Sequence, residues 1–90
     1  MVKEHDWTEA DDIAALYFYK YDEPQGGPSI KDFAHSHGMS EASLRARIRN
    51  FAALDGGVGL RNWARKSKTV YRRYRNLSEP ELRALAFGKS

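Results

Sequence analysis

The feature that most constrains this chain is a single glycine set between two short amphipathic stretches. Residues 29–54 read SIKDFAHSHGMSEASLRARIRNFAAL, with Gly38 followed after one residue by Ser40. Ser29 is placed to cap a helix over IKDFAHSH, with Asp32 positioned to reach back to the cap and Ile30, Phe33 and Ala34 facing inward. Gly38 falls where a helix end calls for a left-handed residue, and Ser40 caps the next helix. Two helices joined by so short a turn must cross and share a buried side. Ala34 is small enough for close approach at the crossing, Met39 fills the corner, and Leu44 packs the second helix onto the first. The spacing predicts a helix-turn-helix over residues 29–54.

The flanking segments are helical as well. Thr8 caps TEADDIAALYFYKY, with Asp11 three residues on, and Ala10, Ile13, Ala14, Leu16, Tyr17 and Tyr21 form an apolar face from which Phe18 and Tyr19 point away. Pro24, Gly26, Gly27 and Pro28 end that helix. Beyond the motif, a short helical turn around Trp63 leads into a helix capped by Ser67, with Val70, Tyr74 and Leu77 inward. Ser78, with Pro80 in the first turn and Glu81 in the capping-box position, starts a last helix. The fold class is therefore all-α, a helix-turn-helix bundle of about five helices in a single domain spanning residues 1–90. With no cysteine there is no disulfide framework, and no apolar run approaches a bilayer span. The acidic opening MVKEHDWTEADD is no signal peptide, so a cytoplasmic location is expected, nucleoid-associated in a bacterium.

Charge is sharply divided along the chain. Residues 1–28 carry seven acids against two lysines, whereas residues 45–75 carry ten Lys and Arg against Asp55 alone, although the whole chain nets only +3. A basic segment of this kind suits a polyanionic partner. On the helix after the turn, Leu44, Ile48, Phe51 and the edge of Arg47 share the inner side. Ala42, Ala46, Arg49 and Ala53 lie opposite, flanked by Arg45 and by Ser43 and Asn50. That outer side is small at its centre and cationic at its edge, a shape that lets a helix approach duplex DNA while arginine forks onto guanine or phosphate. The expectation is double-stranded DNA as partner, with Ser43, Arg45 and Arg49 near base edges and Arg47 and Asn50 near the flanking backbone. A basic extension over residues 61–77 adds Arg65, Lys66, Lys68, Arg72 and Arg75 as phosphate contacts, with Tyr71 beside the row. Two positions depart from the usual motif: His37 before the glycine and Arg47 late in the second helix, both normally apolar.

The combination of LYFYKY, IKDFAHSHGMSEASLRARIRNFAALDGGVGL and SKTVYRRY resembles the N-terminal helical domain of some HNH-type restriction endonucleases and related small prophage regulators. Its most distinctive part is the Arg47–Asp55 segment, with Asn50-Phe51 and Leu54-Asp55, followed by Gly59-Leu60. The resemblance covers roughly residues 10–75 and implies DNA binding by an accessory module, or transcription regulation, without carrying over catalysis.

Other signals lead elsewhere or nowhere. His35 and His37 diverge on a helix and lack a third ligand, so no metal and no cofactor are expected. GGVGLRN follows a helix and lacks the third glycine of a nucleotide loop. No nucleophile sits in a recognisable setting, so no enzymatic activity is expected. A lone helix-turn-helix reads few base pairs, which would suit a homodimer, yet no heptad stripe marks an interface. The alternative is a protein-interaction adaptor whose basic face docks an acidic partner, or which self-associates through the aromatic first helix.

Overall fold

The computed structural model describes residues 7–56 and 65–88, and for Leu54, Gly56, Arg65 and Lys66 the backbone alone. Within these residues the chain forms five helices and no strand: α1 (Glu9–Tyr21), α2 (Ile30–Ser36), α3 (Glu41–Gly56), α4 (Arg65–Tyr74) and α5 (Glu79–Phe87). The all-α reading holds. The turn around Trp63 and the Gly59-Leu60 element lie outside the described residues.

α1 is the hub, packing against α3, α4 and α5, while α2 and α4 each pack against α3. Its start follows the sequence: the Thr8 hydroxyl accepts the Asp11 N–H at 3.1 Å, and the Asp11 carboxylate accepts the Thr8 N–H at 3.3 Å. Its burial does not. Eight successive residues, Asp11 to Phe18, are buried, because neighbours surround the helix instead of covering one stripe. The expectation that Phe18 points outward is thereby corrected. Phe18 is 4% exposed, and its ring meets Phe33 at 5.8 Å and Phe87 at 5.4 Å in edge-on geometry. Phe87, brought in by α5, also meets Tyr17 at 5.1 Å, so aromatic rings from α1, α2 and α5 form one end of the core. At the other end of α1, Asp22 adopts φ +64° and stops the helix. The Glu23 carboxylate then accepts the Ile30 N–H at 2.8 Å, tying the connecting loop to the start of α2.

The turn between α2 and α3 follows the sequence reading closely. His37 closes α2 and Gly38 takes φ +74°. The Gly38 N–H donates to the His35 carbonyl at 3.2 Å and the Met39 N–H to the Ala34 carbonyl at 2.9 Å, the paired bonds of a Schellman ending. Ala34, Met39 and Leu44 are all buried at the crossing. Ser40 caps α3, its hydroxyl accepting the Ser43 N–H at 3.0 Å. α5 begins with the expected capping box of Ser78 and Glu81.

The basic helix is set differently from its reading. α4 already runs at Arg65, so Ser67 lies in its first turn, fully buried, with its hydroxyl turned into the core. Val70 and Tyr71 are the buried pair, and Tyr74 and Leu77 are half-buried, so the inward stripe is rotated toward Tyr71. Turned this way, the Tyr71 hydroxyl reaches the carboxylate of Asp55 near the end of α3.

A Cβ on Gly38 would meet nothing within 4 Å, so only its backbone conformation requires glycine. Gly38→Ala should lower stability by about 1 kcal/mol, the left-handed penalty for an L-residue, and chemical denaturation should read this without loss of helical content.

Candidate nucleic-acid interface

Among the described residues, the outer side of α3 is left exposed. Ala42, Ser43, Arg45, Ala46, Arg49 and Ala52 are exposed, and Asn50 and Ala53 are half-buried. Leu44 and Phe51 are fully buried on the opposite side and Ile48 packs at its edge. Small residues at the centre of the exposed side keep the helix slim there, and two arginines project along one margin.

The three arginines of this helix have different fates. Arg45 sits in a surface pair with Glu41, Nε to carboxylate 2.9 Å, one turn back. Such exposed pairs contribute about 0.3–0.5 kcal/mol, little enough that Arg45 can exchange Glu41 for another anion. Arg49 is exposed and has no acidic partner among the described residues. Arg47 turns inward. Its Nε lies 2.6 Å and its second nitrogen 2.9 Å from the two carboxylate oxygens of Asp12, and its guanidinium stacks over the Trp7 ring at 4.3 Å. The Asp12 side chain is 0% exposed and that of Arg47 13%. Ser67 of α4 donates to the same carboxylate at 2.9 Å. Asp12 thus receives a forked cation from α3 and a hydroxyl from α4, which satisfies a charge that could not otherwise be buried. Arg47, expected near the DNA backbone, is a fixture of the core in this structure.

His37, the other irregular position of the motif, is handled in the same way. Its ring stacks on Phe33 at 3.9 Å between centroids, and Nδ1 lies 3.2 Å from the carboxylate of buried Asp11. Two adjacent aspartates of α1 therefore receive the two polar residues that the motif places where apolar ones are usual. The sequence offered a signal, two acids side by side at the start of a helix, but that signal equally fits a first turn favouring negative charge.

The remaining site residues divide as follows. The Ser43 hydroxyl accepts from Ser40 Oγ at 3.1 Å within the cap, still on the exposed side. Lys68, Arg72 and Arg75 are exposed on or just beyond α4. The Arg75 guanidinium lies over the Tyr71 ring at 5.3 Å. The side chains of Arg65 and Lys66 lie outside the described residues. Of the acids of α1, Glu9 pairs with Arg73 at 3.2 Å, while Asp11 and Asp12 face His37 and Arg47.

One cluster was not foreseen. Asp55, near the end of α3, accepts from Tyr19 of α1 at 2.6 Å and from Tyr71 of α4 at 2.5 Å. Those hydrogen bonds hold the Asp55 carboxyl below its ordinary range, with Arg75 and Lys20 adding to the effect. The Tyr19 phenol is pushed up to about 12, chiefly by its bond to Asp55 and then by burial. Tyr71, which the sequence sets beside the basic row, packs against the bundle. Asp55 therefore ties the end of α3 to two neighbouring helices, as Asp12 ties its middle.

No family model matches the chain, and no curated protein or solved structure matches it either. Among the described residues, no helix is long and apolar enough to cross a membrane. The functional argument therefore rests on the exposed side of α3 and its surroundings.

Removing one partner of the buried pair leaves the other charge uncompensated. Arg47→Met should cost about 3–5 kcal/mol in a denaturant titration. Adding Asp12→Leu and Ser67→Ala to it should recover most of that loss, since an apolar set of similar volume no longer buries an unpaired charge.

Proposed function

We propose that this protein binds double-stranded DNA through its helix-turn-helix, with α3 entering the major groove, as a small transcriptional regulator or DNA-recognition module. The observation that carries the proposal is the exposed side of α3. It is lined by alanine at its centre and carries Arg49 with no acidic partner among the described residues. A helix presented in this way by a tight turn, with its other side fully engaged, suits insertion between the walls of a major groove. The resemblance to the helical domain of HNH-type endonucleases and prophage regulators points in the same direction.

In this reading Arg49 and Arg45 reach base edges, Ser43 and Asn50 lie on the other margin, and Lys68, Arg72 and Arg75 hold phosphates. Arg47 leaves the contact set because Asp12 holds it. Two copies on a palindromic site would give the readout one motif lacks, so a homodimer on DNA belongs to the proposal.

Fluorescence anisotropy with a short duplex at two salt concentrations, with and without heparin, tests this. Duplex preference should survive the polyanion competitor. Arg49→Ala should relax discrimination between sequences by about 1–3 kcal/mol, whereas Lys68→Ala should weaken all duplexes alike and flatten the salt slope by about one unit. If neither substitution changes duplex affinity, the assignment is wrong. An adaptor for an acidic protein would ignore duplex and heparin alike at physiological salt.

A further inference from the structure

Beside α3 lies an open groove of about 580 Å³, formed between its Arg45–Arg49 margin and the last turn of α1. Tyr19, Lys20 and Tyr21 form its other bank. A smaller hollow of about 250 Å³ reaches Arg75 and Asn76 just beyond α4, and Tyr19 and Lys20 line both spaces. The two hollows therefore share a wall, and four cations from three parts of the chain border them: Arg45 and Arg49 of α3, Lys20 of α1 and Arg75 after α4. Two carboxylates, Asp22 and Asp55, line the same spaces and keep their charge, Asp55 beside Lys20 and Arg75, so the four cations outnumber them. Asp55 receives two tyrosine hydroxyls, Glu41 pairs with Arg45, and Asp22 accepts the Glu23 N–H at 2.9 Å.

Lys20 sits at the junction. Its ammonium donates to the Arg75 carbonyl at 2.5 Å and lies 5.3 Å from the centre of the Tyr21 ring. An ammonium has three donors, and one of them is used to anchor it. Lys20 is thus a cation fixed in place between the margin of α3 and the end of the basic helix, although it belongs to the acidic third of the sequence.

We infer that this groove seats the sugar-phosphate backbone of one strand of the duplex alongside α3, with Lys20 as a phosphate-binding residue and Arg75 continuing the track. The inference rests on the duplex-binding reading above and deepens it. A helix in the major groove has a phosphate wall on either flank, and this is the flank on which Arg45 and Arg49 already project. Each phosphate neutralised contributes a slope of about 0.9 to the dependence of log affinity on log salt, so the contact has a countable signature.

The test compares Lys20→Gln, which removes the charge but keeps an N–H for the Arg75 carbonyl, with Arg73→Gln, which removes an exposed cation paired with Glu9. Circular dichroism would confirm that both fold. The expected result is a salt slope on duplex DNA shallower by about one unit for Lys20→Gln and unchanged for Arg73→Gln. Independently of any variant, the backbone amides of Lys20 and Tyr21 in the wild-type protein should shift on titration with duplex. Wild-type binding to duplex with an unchanged slope in Lys20→Gln, or with no shift at those amides, would overturn the groove assignment and leave the major-groove reading standing. Tighter binding of a single strand than of duplex, lost in Lys20→Gln, would overturn it in favour of a single-strand channel. Failure of the wild-type protein to bind duplex at all would overturn both.

Discussion

The forked ion pair between Asp12 and Arg47 is the interaction on which the arrangement of helices depends. It joins the hub helix to the middle of α3 with no exposure at the acid, and Ser67 brings α4 to the same carboxylate. Buried ion pairs add little net stability against an apolar replacement, because desolvation offsets most of the attraction. Their geometric demand is severe, however. A bidentate bond at 2.6 and 2.9 Å tolerates neither a slide of α3 along α1 nor a rotation that would turn Arg47 outward. The pair fixes which side of α3 faces solvent, and so decides which residues can meet a ligand.

That decision sorts a run of alternating arginines. Neighbours two apart on a helix lie on nearly opposite sides, while those four apart share one. Fixing Arg47 inward therefore places Arg45 and Arg49 together on the outward margin. Asp11 with His37 does the same at the corner of the motif, and Asp55 with Tyr19 and Tyr71 does so at the far end. α3 is held at three stations by carboxylates, each bridging it or its preceding turn to another helix. The exposed side is left to small residues and two cations on a rigid support, which is what close approach to a duplex requires.

Much of this was legible in the sequence. Caps at Thr8, Ser29, Ser40 and Ser78 and the left-handed Gly38 depend on local backbone needs, and each is expressed by a residue and its neighbours within four positions. The burial of Leu44 and Phe51 against the exposure of Ala42 and Arg49 follows from helical period alone. What the sequence did not disclose depends on contacts far apart along the chain. Phe18 is inside because α5 returns to cover it, and Ser67 is a core donor instead of a cap because Asp12 waits 55 residues earlier. Asp11 and Asp12 read locally as favourable first-turn acids and do that work too. Their deeper role needed the positions of His37 and Arg47, and Lys20 gained its place only when the end of α4 was brought beside it.

The basic and acidic halves of the chain are thus divided by task. Buried Asp12 holds the one arginine of α3 that points inward, and Arg45, Arg49 and Arg72 face outward, where the proposed function sets them against DNA. Selection of bound molecules from a pool of randomised duplexes tests this account most directly. It predicts that the wild-type protein enriches a defined motif, palindromic if two copies bind. A pool that binds yet stays random in sequence, or fails to bind, would contradict the claim that the outward side of α3 reads DNA.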